Sequence, residues 1–87
     1  MEYVYIGGKE LSRYLRSCLY AFNKDTKIRI ISRGGHIKKA VDVAEIIKRQ
    51  IIDPKVSVEI GSDKFEDRYV STIEIEIEGH KKEQEER

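Results

Sequence analysis

The residues best suited to chemistry lie in segment 32–42, which has the sequence SRGGHIKKAVD. An apolar stretch at residues 27–31 precedes it, and a helical pattern begins near His36, so the two glycines turn a strand into a helix. The unpaired N–H groups and the dipole of a helix start both attract anions. Arg33, Lys38 and Lys39 add three positive charges around this turn. The segment therefore predicts a phosphate-binding turn.

A simpler interpretation of these cations is a solvated helix start. In that case Lys38 and Lys39 pair with Asp42, which stabilises the helix by about 0.2–0.5 kcal/mol per pair. A second basic position, Lys9, follows the Gly7-Gly8 pair, and Lys9 is also expected to contact an anion. Arg13 and Arg16 lie farther along the helix that is predicted to begin at Lys9. They could either contact the anion or form an ordinary exposed face of this helix.

The charge of the chain is unevenly distributed. Among the 87 residues, 38% are charged and 39% are hydrophobic, which is enough for one small folded domain. The net charge is +1, but residues 1–55 carry 12 Lys/Arg against 6 Asp/Glu, while residues 56–87 carry 5 against 10. This asymmetry indicates that one face meets an anion while the other stays solvated.

Several kinds of chemistry lack their usual residues. Cys18 is the single cysteine, which argues against an internal disulfide and a cysteine-based metal cluster. His36 and His80 have no carboxylate or histidine at ligand spacing, and no nucleophile has a base in a recognisable context. We therefore expect neither an enzyme nor a metal or other cofactor. A small-nucleotide site at the glycine turns lacks the Gly-Lys-Ser/Thr loop that binds phosphate in P-loop proteins.

The periodicity predicts six elements in the order β-α-β-α-β-β. Strands are expected at residues 2–6, 27–31, 55–60 and 69–78, and helices at 9–22 and about 36–51, the second ended by Asp53-Pro54. Residues 61–68 are expected to form a polar loop that projects as an arm between the last two strands. A single domain is expected at residues 1–78. Residues 79–87 form a charged tail without apolar periodicity, and this tail is expected to fray.

The strand–helix–strand crossover predicts that the first two strands are parallel. Both strand-to-helix turns then lie at one edge of the sheet, where ligands gather in open α/β sheets. This places Lys9 beside Arg33. The alternating Glu74, Glu76 and Glu78 are expected to form a polar strand face that discourages edge pairing and points away from a phosphate ligand.

The aromatic residues have two possible roles. Tyr3, Tyr5, Tyr14 and Tyr20 could stack on bases, but their spacing better fits packing in the core and the strands. Phe65 and Tyr69 flank the arm, and Phe65 could enter a minor groove or cover the neighbouring strand. Cys18 lies in the apolar stripe of the first helix and is expected to be a buried small hydrophobe.

Short sequence pieces at residues 3–78 resemble the Alba family of archaeal chromatin proteins. The resemblance is carried by YIGGK at 5–9, RG at 33–34, IKKAVD at 37–42, EI at 45–46, IGS at 60–62 and VSTIEI at 70–75. It implies an α+β two-layer sandwich (an α/β fold) like the C-terminal domain of bacterial translation initiation factor three. It also implies a homodimer that binds double-stranded DNA and RNA with little sequence preference, with arms thought to reach the minor groove.

From the residues and this resemblance together, the expected nucleic-acid contacts are eight residues: Lys9, Arg13, Arg33, Gly34, Lys38, Lys39, Lys64 and Arg68. The partners expected are duplex DNA or RNA and a second copy or paralogue, with no membrane and no small-molecule substrate. The chain has no apolar run that could span a membrane and no signal peptide, so a cytoplasmic, chromosome-associated protein is expected. High Lys, Arg and Glu contents also suit a thermophilic source.

Some positions depart from the family pattern. Gly8 occupies the usual acetylated lysine position, and Gly35 occupies a position that is often arginine. The short arm carries Asp63, Glu66 and Asp67. These departures favour weaker DNA binding than in a typical member, or an alternative role as an RNA-binding subunit of a ribonuclease P-like particle or as a heterodimer partner. The Ile51-Ile52 pair ends the predicted second helix, where the family often has an aromatic residue at a dimer–dimer contact.

Overall fold

Residues 1–82 are described by the structure, a computed structural model, as one four-stranded sheet with two helices on one face. A short 3-10 helix at Gly34–His36 precedes the second α-helix. The elements in chain order are β1 (Glu2–Tyr5), α1 (Leu11–Lys24), β2 (Lys27–Arg33), α2 (Ile37–Lys48), β3 (Ile51–Phe65) and β4 (Arg68–Lys81).

The strand order is β1-β2-β4-β3. β1 and β2 are parallel, as the crossover rule predicts, and Val4 lies beside Ile30 in their register. β4 pairs antiparallel with β2 on one side and with β3 on the other. Both strand-to-helix turns therefore lie at the same end of the sheet.

The core lies between the sheet and the helices because alternate strand residues point to the same face. Ile28 and Ile30 of β2 and Ile77 of β4 are completely buried there, facing the apolar side of α1 and α2. Cys18 is buried in the same cluster, as expected, and burial raises the pKa of its thiol to about 12. No helix in the described residues is long and apolar enough to cross a membrane.

The prediction that the second helix reaches residue 51 is wrong. α2 ends at Lys48, and Ile51 begins β3 as a buried residue of the core. Ile47 and Ile51 are spaced as on a helix face, but each packs into the core from a different element. Asp53-Pro54 therefore does not end the helix. It lies within β3 at a register shift between Ile52 and Lys55, where Asp53 has a φ of 44°.

The prediction of a polar loop at residues 61–68 is also wrong. β3 and β4 stay paired from Gly61 opposite Thr72 to Phe65 opposite Arg68, and only Glu66 and Asp67 form the turn. Both faces of this hairpin end are solvent-exposed, so its sequence lacks the alternation that marks a strand. The pairing of β2 with β4 stops at Arg33 and Thr72, so the hairpin extends past the sheet as an arm.

The beginning of the predicted tail is ordered. β4 extends three residues beyond the predicted strand end, to Lys81, and the N–H of Lys82 donates to Gln50 O. A Cβ at Gly79 would lie 2.5 Å from Ile51 Cγ2, so only glycine fits there. The remaining tail, 83–87, lies outside the described residues.

Glu74, Glu76 and Glu78 do not protect a sheet edge, because β4 is an interior strand. Arg29 of β2 donates to Glu74 at 2.9 Å and to Glu76 at 2.7 Å across the open face of the sheet. Hydrogen bonding to Arg29 lowers the pKa of Glu76. Glu74 and Glu76 therefore tie the two central strands together.

Candidate nucleic-acid interface

The two strand-to-helix turns adjoin, as expected from the parallel strands. The N–H of Ile6 donates to Ile31 O at 2.8 Å, and the buried Ser32 hydroxyl donates to Ile6 O at 3.2 Å. Farther out, a Cβ at Gly8 would lie 3.8 Å from His36 Cε1. The first turn and the second turn are thus held side by side by bonds between β1 and β2.

Tyr14 of α1 organises the first turn. Its buried hydroxyl oxygen accepts hydrogen bonds from the N–H of Gly7 at 2.9 Å and of Lys9 at 3.0 Å. The hydrogen bond from the Lys9 N–H is the main cause of the lowered pKa of the Tyr14 hydroxyl. The N–H groups of Gly7 and Lys9 are therefore not free to bind an anion, because the Tyr14 hydroxyl already accepts their hydrogen bonds.

Lys39 connects the second helix to the first turn. Its ammonium group donates to Lys9 O at 2.6 Å and to Gly7 O at 3.3 Å. Lys38, in contrast, is exposed and pairs with Asp42 at 3.0 Å, so the simpler interpretation holds for Lys38 alone. Lys39 thus holds the two turns together, and its ammonium group already donates hydrogen bonds to two backbone carbonyl oxygens.

Four exposed cations around the turns have no ion pair within residues 1–82: Lys9, Arg13, Arg16 and Arg33. The first three line a shallow depression of about 490 Å³ beside the first turn, together with Gly8 and Glu10. Arg13 and Arg16 therefore extend the basic surface of Lys9 along α1. We call these four cations the basic edge.

The second turn opens onto a cavity of about 520 Å³. Arg33 and His36 line it from the turn, Tyr5 lines it from β1, and Asp63 and Glu74 contribute carboxylates. Gly34 has a φ of 61°, a backbone conformation that favours glycine, and no side chain caps the helix start that follows. Uncapped N–H groups at this turn thus lie near Arg33.

The arm carries both signs of charge. Lys64 lies opposite Tyr69 and Phe65 opposite Arg68 in the hairpin, and all four side chains are exposed. Asp63, Glu66 and Asp67 surround the two cations, so the arm is not a basic element by itself. Phe65 does not bury its ring against a neighbouring strand, which leaves it exposed near the hairpin tip.

The interpretation of the tyrosines as packing residues is correct only for Tyr14. Tyr3, Tyr5 and Tyr20 are 55%, 69% and 62% exposed. Tyr3 and Tyr5 alternate with the buried Val4, so they point to the face of β1 that no helix covers. Alternation of aromatic and aliphatic residues identifies a strand but does not say which of its faces is covered.

Sequence reasoning missed Tyr14 as the anchor of the first turn and left the role of Arg16 open. The only signal for Tyr14 is its position as the fourth residue of α1, about one helical turn after the helix begins. In the described residues, no group of three or more His, Cys, Asp or Glu side chains could hold a metal ion.

We expect Tyr14→Phe to weaken the first turn without unfolding the domain. The ring still fills the core, but the N–H groups of Gly7 and Lys9 lose their acceptor, so the melting temperature should fall by about 5–10 °C. Circular dichroism melts check this, with the exposed Tyr69→Phe as control. An unchanged melting temperature for Tyr14→Phe would show that the two hydrogen bonds contribute nothing.

These features define a class of protein: a small two-layer α+β domain whose adjoining strand–helix turns and projecting hairpin carry exposed cations. The Alba family model matches residues 2–62. The chain belongs to the Alba family.

Relatives support the same assignment. The "DNA/RNA-binding protein Alba" of Nitrosopumilus maritimus is 39% identical over 82 residues, which cover 85% of this chain and 86% of that protein. The protein of the same name from Methanothrix thermoacetophila is 35% identical, with 85% and 91% covered. The structure of Alba from Thermoplasma volcanium has a TM-score of 0.72 at 33% identity, and the match covers 88% of this chain and 99% of that one.

Proposed function

We propose that this protein is a non-enzymatic nucleic-acid-binding protein that coats or compacts double-stranded DNA and also binds RNA. The observation that carries the proposal is the basic edge, in which Lys9, Arg13, Arg16 and Arg33 surround two adjoining turns without internal ion pairs in the described chain. The names of the archaeal relatives, "DNA/RNA-binding protein Alba", support the same class of ligand.

The chemistry of the basic edge suits the sugar-phosphate backbone. Exposed lysine and arginine side chains neutralise phosphates whatever the base sequence, and counterion release then makes the affinity depend on salt. Three cations of the basic edge lie along or just before α1, and the fourth, Arg33, lies beside uncapped N–H groups at the second turn. Binding with little sequence preference follows, and such binding would place the protein on the chromosome.

A homodimer is the second part of the proposal. Val56, Val58 and Ile60 of the edge strand β3 are 44%, 52% and 78% exposed, and they lie opposite the buried Ile77, Ile75 and Ile73 of β4. Their face thus continues the core beyond the area that the helices cover. Long exposed apolar edge strands promote association, so we assign this surface to a second copy.

Dimer formation would double the basic edge and add a second arm. The contact through β3 leaves β1 and the two turns outside the interface, because β1 lies at the opposite side of the sheet. Two sets of cations on one rigid body bind a duplex more tightly than one set, since the second set engages as an intramolecular step.

A role in an RNA–protein particle, or as the partner of a paralogue, is the alternative. The arm favours it, because Asp63, Glu66 and Asp67 would lie close to phosphates if the arm entered a DNA groove. RNA structures with unpaired bases offer contacts that rely less on phosphate neutralisation.

Fluorescence anisotropy with duplex DNA and structured RNA of equal length tests the proposed function. We expect saturable binding to both, similar for unrelated sequences, and no competition by a mononucleotide at moderate salt. Preference for RNA by tenfold or more would favour the ribonucleoprotein role. Absence of binding that is restored by a paralogue would instead support the heterodimer, and tight mononucleotide binding would contradict both.

A further inference from the structure

The free edge of β1 borders a groove whose tyrosine residues are not part of the basic edge. The groove has a volume of about 490 Å³ and runs between β1 and α1. Tyr3 and Tyr5 line it from the strand, and Ser17 and Tyr20 line it from the helix. In residues 1–82 no strand pairs with the outer side of β1, so the groove is open along that edge.

We propose that the free edge of β1, with the rings of Tyr3 and Tyr5, binds unpaired bases of a single-stranded RNA or of a single-stranded segment next to a duplex. The inference rests on the proposed nucleic-acid binding and names a further ligand class for it. Its first basis is the exposure of Tyr3 and Tyr5, more than half of each residue being accessible.

The tyrosines provide stacking surfaces. Tyr3 and Tyr5 are two residues apart on one strand, so their rings emerge on the same face about 6.6 Å apart along the strand. Sheet-based RNA-binding modules use exposed strand aromatics in this way to stack two or three bases. Tyr20 lies on α1, on the other side of the sheet, so the stacking surface consists of Tyr3 and Tyr5.

Charge complementarity supports a nucleic acid as the occupant. Lys9 and Arg13 line the groove at the end next to the first turn, so a strand whose bases lie on the tyrosines would place phosphates on the basic edge. Lys24 adds a cation at the other end, with Nζ 4.7 Å from the centre of the Tyr20 ring. Glu2 is the one carboxylate among the residues that line the groove.

The backbone of β1 can contact base edges. The N–H of Ile6 donates to β2, so alternation along the strand turns the N–H and C=O groups of Tyr3 and Tyr5 toward the free edge. These groups supply donors and acceptors beside the stacking rings. Tyr5 also lines the cavity that contains Arg33, so the groove continues into the second turn.

Paired substitutions test this inference. The Tyr3→Leu/Tyr5→Leu variant removes the rings but keeps apolar side chains, and the Tyr3→Phe/Tyr5→Phe variant keeps the rings. The probes are a labelled 12-nucleotide oligouridylate, the same strand with abasic riboses, and a 12-base-pair RNA duplex. Anisotropy titrations at fixed salt give the affinities, and circular dichroism checks that each variant is folded.

We expect the leucine variant to bind oligouridylate about 30-fold more weakly than the unmodified protein, because it loses the stacking of bases on two aromatic rings. Its loss of affinity for the duplex should be at least about fivefold smaller than its loss for oligouridylate, because the four cations of the basic edge are unchanged. The phenylalanine variant should bind both probes nearly as the unmodified protein does. The abasic strand should bind the unmodified protein as weakly as oligouridylate binds the leucine variant.

Equal affinity of the leucine variant and the unmodified protein for oligouridylate would overturn the inference and leave the free edge to a protein strand. An equal loss for single strand and duplex would also overturn it. In either case, intact duplex binding by the unmodified protein would leave the proposed function standing. A protein that bound none of the three probes would overturn the inference, and a protein that also failed to bind duplex DNA would overturn the proposed function as well.

Discussion

Val58→Asp should convert the protein into a folded monomer that binds duplex DNA about 100-fold more weakly. Val58 lies in the middle of the exposed apolar face of β3, and its side chain is half exposed in the single chain, so a carboxylate there does not disturb the core. In a symmetric dimer the two copies place this charge in one apolar interface. Loss of the second basic edge then removes the gain from bivalent binding.

Sedimentation equilibrium and anisotropy titration check this result on the same sample. Ser57→Asp is the matched control, because Ser57 is the neighbouring residue on the other face of β3. It should remain dimeric with nearly unchanged affinity. A Val58→Asp protein that stayed dimeric would show that the β3 face is not the dimer interface. A monomeric Val58→Asp protein with full affinity would show that one basic edge is sufficient for binding.

Arg33→Glu should weaken binding to every duplex by a similar factor of about 100. Arg33 lies beside the uncapped helix start of the second turn, and the proposed dimer would lose two phosphate contacts and gain two repulsive charges. Because phosphate contacts carry no sequence information, the loss should not depend on base composition.

Competition against three duplexes of different sequence measures this effect. Arg49→Glu is the control: it makes the same change in net charge on an exposed residue at the other end of α2. Its affinity should fall only slightly. A loss confined to one sequence for Arg33→Glu would indicate base readout, and equal losses for both variants would mean that overall charge alone governs binding.

The fold could be predicted where the sequence pattern has one physical cause. The crossover rule placed β1 and β2 in parallel and thereby brought Gly8 next to His36, which is the main geometric fact about the site. The apolar spacing of the first helix predicted the burial of Cys18. These results depend only on chain direction and on one apolar face per element.

The arm and the start of β3 could not be predicted, since neither has a distinct pattern. Gly61 to Phe65 is exposed on both faces, so only its pairing with β4 identifies it as a strand. Ile51 fits the spacing of α2 and the core face of β3 equally well, and the fold places it in β3.

Within the site, residue type predicted charge but not the partner of each charge. Lys38 and Lys39 are neighbours with the same side chain, yet one pairs with Asp42 and the other with the carbonyl groups of the first turn. The hydrogen bonds of the Tyr14 hydroxyl could not be predicted either, because they depend on where the bend after β1 places the N–H groups of Gly7 and Lys9. Such pairings need three-dimensional proximity that a single sequence does not contain.

The salt dependence of duplex DNA binding tests the basic edge most directly, with the unmodified protein compared with the Lys9→Ala/Arg33→Ala variant. Each phosphate contact contributes about 0.9 to the slope of log affinity against log salt. Two residues in each protomer of a dimer then make the slope of the variant shallower by about 3.6. Parallel lines for the two proteins would contradict the account, because the two residues would then neutralise no phosphate.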